Sequence, residues 1–410
     1  MLSFPFPRLC AATVLLTIVS GAQAENWPQF RGPSGQGISA EKDLPVKWDV
    51  KTGENIAWKV ALPKGDSQYS SPIVWGDRVF VTGVRNAPLA HWVQCYAVTD
   101  GKFLWETPVA PGPLLLTDLR GGYGAPTPCT DGKRVYVAFG SAVVAALDFE
   151  GKQIWRKEIA NHAFDVALGS SPVLYRDTVI MNCDQTGKTS SIIGYDAATG
   201  DIRWEAKRPE TGFSHSTPVI VEIGGKPQML VNATSAIQGL DPDNGKVLWW
   251  CASQGDAASP AFGGGLVFSD SGRGGKGICV DPGGSGDVTK THLKWTVAQI
   301  SEGLSSPIIT GERVWRTHGP EILKSFHLKT GERVLSERLA GISTWASPFA
   351  TADGRLYFAS AGKTYVVRAA EPLEVLAVND TGEENRASAA VSNGRIFLRG
   401  DKSLFCIRKP

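Results

Sequence analysis

Eight residues of contrasting chemistry stand a few positions ahead of eight similar Ser/Thr-Pro or Ser-Ala steps: Tyr69, Tyr123, Asp165, His215, Asp256, Glu302, Trp345 and Arg386. Gathered on one axis, three carboxylates, an imidazole, a guanidinium and three aromatic rings would make a recognition surface. His215 is the most specific of them, although a His before Ser-Thr can also serve simply to tie down a neighbouring loop. Asp165, Asp256 and Glu302 offer the oxygen ligands that Ca²⁺ takes, but without the alternating spacing of a known calcium loop. No metal site and no catalytic residue is assigned. A second candidate is the insertion from Pro108 to Gly124, where Leu114, Leu115 and Leu116 with Arg120 form an apolar loop suited to touching a partner or folding over a channel mouth.

Whether the eight residues meet depends on the elements that carry them. The stretch HSTPVIVEIGGKPQMLVNATSAIQGLDPDNGKVLWW, from His215 to Trp250, is one copy of a repeat. A Ser/Thr-Pro step opens a β-branched run, a Gly turn follows, then a second and third apolar run, an Asp, a Gly-Lys turn and a final strand ending on Trp. Copies begin near Pro72, Pro128, Pro172, Pro218, Pro260, Pro307, Pro348 and Ala389, at spacings of 41 to 56 residues. Four short strands per unit at such a period predict a β-propeller blade. The eighth copy stops after its third strand, near Cys406, while Thr52 to Val60 reads as a fourth strand with no partners of its own. Pairing the two removes both open sheet edges. The expected fold is therefore all-β, an eight-bladed β-propeller of four-stranded antiparallel blades closed by the N-terminal strand.

Trp58, Trp105, Trp155, Trp204, Trp249 and Trp295 recur at one place in successive copies, where an indole can fill the wedge toward the next blade while its N–H finds a backbone partner. They read as structural. Leu335 and Leu376 replace the indole in the sixth and seventh blades, where looser packing is expected.

The chain of 410 residues is 42% hydrophobic and 20% charged, with 46 Gly and 25 Pro, as a large-cored protein of short strands and turns would be. Lys plus Arg balance Asp plus Glu at 42 to 40, which excludes a whole-molecule field for nucleic acid or an anionic membrane. Residues 1–24 have Arg8, an apolar run from Leu9 to Val19 and Ala22-Gln23-Ala24, the pattern of a cleaved secretory signal; the run is shorter than the roughly 20 residues that span a bilayer. No later segment is apolar enough to span one. Residues 25–50, containing NWPQFRGPSGQGIS, are expected to pack irregularly on the propeller of residues 51–410. Six Cys remain after the signal; their wide spacing and apolar strands favour buried thiols.

The pattern DxxxGKxxW after a Ser/Thr-Pro strand, together with WPQFRGP, resembles the quinoprotein-like propeller repeats, from about Trp27 to Arg408. That resemblance implies the propeller fold, which is shared by dehydrogenases carrying pyrroloquinoline quinone (PQQ) and by non-catalytic proteins such as the periplasmic lipoprotein scaffold of outer-membrane protein assembly. A quinone enzyme would need PQQ held between planar surfaces, Ca²⁺ and a carboxylate base. The family's quinone enzymes commonly carry an adjacent Cys-Cys pair and are longer; this chain has neither feature. The expectation is an exported, non-catalytic scaffold without a cofactor, binding a protein partner at the cell envelope; a small-ligand or glycan receptor and a PQQ-dependent dehydrogenase are the alternatives.

Overall fold

The computed structural model describes residues 25–66, 69–113, 122–160, 167–186, 188–300, 302–359, 362–384 and 386–410. Among them every regular element is a β-strand, and the strands form eight sheets. Each sheet takes the form of a blade of consecutive antiparallel strands, and the eight blades make up a β-propeller.

The repeat register is borne out at every copy. The innermost strands open with Ile73, Cys129, Val173, Val219, Ala261, Ile308, Phe349 and Ala390, each one residue after the Pro or Ala that marks its copy. Proline cannot donate to a sheet ladder, so it sits where the strand has not yet begun. The second and third strands lie between two blade faces and read as continuous apolar runs. Arg134–Phe139 and Val143–Asp148 of blade 2 are buried at all but their end positions. Outermost strands alternate instead, as in Ile202–Lys207, because one face meets solvent.

Closure follows the expected route. Ile56–Ala61 pairs antiparallel with Ser403–Arg408, so the last blade is ordered from Ile56–Ala61 outside to Ala390–Ser392 inside. The fourth blade departs from the four-stranded antiparallel plan. Gly286–Asp287 pairs in parallel with Trp249 and Trp250 and adds a fifth strand at the blade's outer edge.

The tryptophans also need a correction of place. They do not end their strands: each is the third residue of one, as in Phe103–Val109 and Gln153–Glu158, and the strand runs on beyond it. Their packing against the next blade has a specific form. The indoles of Trp58, Trp105, Trp155, Trp204 and Trp295 cover Gly101, Gly151, Gly200, Gly245 and Gly331, the left-handed turn glycines of the following blades. At Gly200, with φ +74°, a Cβ would stand 2.7 Å from the Trp155 ring. Glycine thus supplies both the backbone angle and the flat surface.

Four indole N–H groups donate to backbone carbonyls of the next blade: Trp58 to Val98 at 2.9 Å, Trp105 to Phe149 at 2.8 Å, Trp155 to Ala197 at 3.1 Å and Trp295 to Leu328 at 2.8 Å. Trp249 departs from the expectation by donating to the Gln228 side chain of its own blade at 2.8 Å. Blade 5 replaces the glycine turn with the long loop that bears Gly286. The Trp204 N–H has no acceptor among the described residues. All six described cysteines are buried free thiols.

Residues 25–50 cross the end of the propeller where the innermost strands finish. Trp27 bridges Val74 of blade 1, the Pro28 carbonyl accepts from Thr130 of blade 2, Gln36 accepts from the Phe262 amide of blade 5, and Ile38 bridges Ala350 of blade 7. Arg31, only 2% exposed, donates to the Pro307 carbonyl of blade 6. The segment is a strap across the molecule, seated on several blades at once. Among the described residues no helix is long and apolar enough to cross a membrane.

Candidate binding site at the end of the propeller axis

The Ser/Thr of each opening step does more than start a strand. The Ser71 amide donates to the Thr127 hydroxyl at 2.9 Å, Thr127 to Ser171 at 2.9 Å, Ser171 to Thr217 at 3.0 Å and Thr217 to Ser259 at 3.1 Å. Ser259 then donates to Ser306 at 3.1 Å, Ser306 to Ser347 at 2.9 Å, Ser347 to Ser388 at 2.9 Å, and Ser388 back to Ser71 at 3.1 Å. The result is an unbroken ring of eight amide-to-hydroxyl bonds around the axis, one per blade junction. At about 1 kcal/mol net for each, such a ring is a substantial part of what keeps the blades in register. Proline at the next position leaves the Ser/Thr amide as the last donor before the strand, which is why the pair recurs.

Inside this ring lies a cavity of about 250 Å³. Phe30 of the strap lines it, one element beyond the innermost strands. At the other end it is lined by Tyr69, His215, Arg273, Glu302, Trp345 and Arg386, which form the mouth.

Buried polar groups hold the mouth loops. Arg399 of blade 8 donates to the Ser70 carbonyl at 3.0 Å and hydroxyl at 2.6 Å, fixing the residue after Tyr69. Arg316 of blade 6 forms a two-point pair with Asp270 of blade 5, at 2.6 and 3.1 Å, and also donates to the Gly303 carbonyl beside Glu302. Such a pair is costly to bury and is tolerable only when its remaining donors are used, as they are here by Ser305 and the Thr317 carbonyl. His215 donates its amide to the Asp256 carbonyl at 2.6 Å, and its ring lies against Gly169, where a Cβ would fall 2.8 Å from Nδ1.

Within the mouth, Arg386 stands 5.4 Å from the Tyr69 ring centre and 5.3 Å from that of Trp345, and it donates to the Tyr69 hydroxyl at 3.1 Å. The two rings are 6.3 Å apart, and Trp345 remains 42% exposed. Cation–π contact and the hydrogen bond hold the guanidinium in place without covering the indole. Across the mouth Arg273 pairs with Asp256 at 3.4 Å. Burial pushes the Asp256 carboxyl up to about 6, against the opposing pull of Arg273.

The structure therefore brings together Tyr69, His215, Glu302, Trp345 and Arg386 of the expected ring. Asp256 stands behind the mouth and reaches it through Arg273. Tyr123 does not reach it: the side chain is buried in the hydrophobic cluster of blades 1 and 2, with its ring 6.2 Å from that of His91. Four residues of loop separate it from Pro128, as four separate Glu302 from Pro307, but here the side chain packs into the blades. Asp165, Leu114, Leu115, Leu116 and Arg120 lie outside the described residues, as does the expected signal segment. Arg273, Phe30 and the hydroxyl ring were not expected. Arg273 sits in the glycine-rich hairpin SDSGRGGKG, where an isolated Arg is the only signal.

Fold and site define a quinoprotein-like β-propeller with an axial pocket open at one end. The chain belongs to the family described as outer membrane protein assembly factor BamB, whose family model matches residues 89–337. It is 25% identical over 147 residues to the outer membrane protein assembly factor BamB of Burkholderia pseudomallei strain K96243, a match covering 36% of this chain and 32% of that protein. The chain thus spans about a third of the length of the curated relative it matches. Among solved structures, BamB from Moraxella catarrhalis superposes with a TM-score of 0.63 at 15% identity, covering 86% of this chain and 97% of that one. The computationally designed Ika8 protein gives 0.59 at 12% identity over 85% and 98% of the two chains. A europium-containing methanol dehydrogenase gives 0.52 at 10% over 91% and 89%. At these identities the likeness is one of fold.

Proposed function

We propose that this protein is an exported, non-catalytic propeller that binds a protein partner at the cell envelope through the mouth of its axis. The observation that carries this reading is the cluster of Tyr69, Trp345 and Arg386, a held guanidinium beside a partly exposed indole on a rigid rim. Trp, Tyr and Arg are the residues that dominate binding energy at protein interfaces. Membership of a family described as an assembly factor supports the same direction. The leader read in residues 1–24 supports export. Cross-linking in an envelope extract tests it: the Trp345→Ala variant is expected to lose a captured protein that the wild type retains, with unchanged thermal unfolding. Equal capture by both overturns the reading.

A quinone-dependent enzyme has thinner support. Of the residues that could serve it, Trp345 as one planar face and Asp256 or Glu302 as the base, Trp345 has Arg386 5.3 Å from its ring centre and Asp256 is paired with Arg273. Among the described residues no three His, Cys, Asp or Glu side chains are grouped to hold a cation. Titration with PQQ and Ca²⁺ separates the readings, since saturable binding of the quinone would favour the enzyme.

A further inference from the structure

The interior of the axial cavity differs in character from its mouth. At the mouth, charges are balanced: Arg386 is 3.3 Å from Glu384, Arg273 pairs with Asp256, and Glu302 stands alongside. Deeper in, the hydroxyl ring presents donors. Each ring oxygen already accepts an amide N–H, and none of the eight hydroxyls donates to a protein acceptor among the described residues. Their protons remain available to whatever enters the axis. Beyond the ring, next to Phe30, lies Arg31, buried, with Nε and Nη1 unpartnered among the described residues. Its Nη2 donates to the carbonyls of Gln36 at 2.9 Å and Pro307 at 2.5 Å, and among the described residues no carboxylate bonds to it. Pro307 directly follows Ser306 of the ring, so this guanidinium lies behind the cavity wall at the Phe30 end and does not itself line the cavity. A buried charge without a counter-ion is costly, and an anion above it would lower that cost.

We propose that the axial cavity binds a carboxylate end-on, its oxygens accepting from the hydroxyl ring and its charge facing the Arg31 end. Two sources present that group: a small free organic acid, or the C-terminus of an extended peptide threaded through the mouth. The site goes beyond the scaffold reading, because loss of partner capture at Trp345 and loss of carboxylate binding at the ring are separate measurements.

Calorimetric titration of the full chain with propionate, succinate, propionamide and a tetrapeptide bearing a free or an amidated C-terminus tests it. Saturable binding of propionate or succinate, with propionamide silent, supports a free acid; binding of the free-ended peptide but not its amide supports a chain end. Thr217→Val, which removes one donor at nearly constant shape, is expected to weaken that binding about tenfold, as for one hydrogen bond to a charged group. Thr217→Ser keeps the hydroxyl and should restore it. The circular dichroism melting curve of each variant shows that it is folded. Should Thr217→Val destabilise the ring, Ser259→Ala at the adjacent junction provides the same comparison. Equal affinity for propionamide and propionate, no binding by any probe, or a folded Thr217→Val variant that binds as the wild type does would each overturn the proposal.

Discussion

Asp256, behind the mouth, shows how a single residue couples charge to stability. Burial raises its folded carboxyl from the ordinary Asp value of 3.8 to about 6. A carboxyl with a raised folded pKa favours folding while protonated, so this contribution is present below about pH 4 and is lost as pH rises through 6. At pH 7 the full cost of holding the buried charge is borne. Asp256→Asn should therefore be more stable than the wild type at pH 7, on the order of 1–2 kcal/mol, with no advantage near pH 4; urea titrations at the two pH values check it. His215, Trp345 and Arg386 could be picked out in the sequence because they vary where the rest of the repeat is constant. Tyr123 was misplaced by the same rule: it stands as far ahead of its Pro as Glu302 does, but its ring packs into the hydrophobic cluster of blades 1 and 2 and not toward the axis. Arg273 was illegible because it belongs to a different loop of its blade from the one that forms the expected ring.

At the scale of elements, the junction of one blade with the next is the unit of design, and it rests on an indole laid over a glycine. Gly200→Ala and Gly354→Ala offer a matched comparison, since both glycines have left-handed φ values, +74° and +81°, but only Gly200 faces a ring. Gly354→Ala is expected to cost about 1 kcal/mol for backbone strain alone, and Gly200→Ala at least 1–2 kcal/mol more for the Cβ against Trp155. Chemical denaturation of both variants measures the difference. The strands themselves were largely legible, because the Ser/Thr-Pro step and the Gly turn fix where each begins and ends. The hydroxyl ring was not, since each of its bonds joins residues 41 to 56 positions apart, or 317 for Ser388 and Ser71, and no local pattern records which oxygen a given amide will meet. The fifth strand of blade 4 was hidden for the same reason: its partner is the edge of another blade.

Taken whole, the molecule is a ring fastened twice, by Ile56–Ala61 in the last blade and by the strap of residues 25–50 across one end. The two fastenings make different predictions. Removing residues 25–50 should leave a folded propeller of lower melting temperature, since Trp27, Leu44 and Trp48 no longer bury their side chains. Removing residues up to Ala61 also bares the edge of Ser403–Arg408, and self-association through that edge is expected, visible as larger species in size-exclusion chromatography. The pairing of Ile56 with Ile407 also sets an order of events in the life of the chain. Ile56–Ala61 has no partner until Ser403–Arg408 has been made, so the seven blades between them can assemble in sequence while the eighth must wait. Loop closure over so long a separation is slow, and during that interval an unpaired strand and an open edge are both exposed. Until then those two surfaces are open to pairing with other copies of the chain.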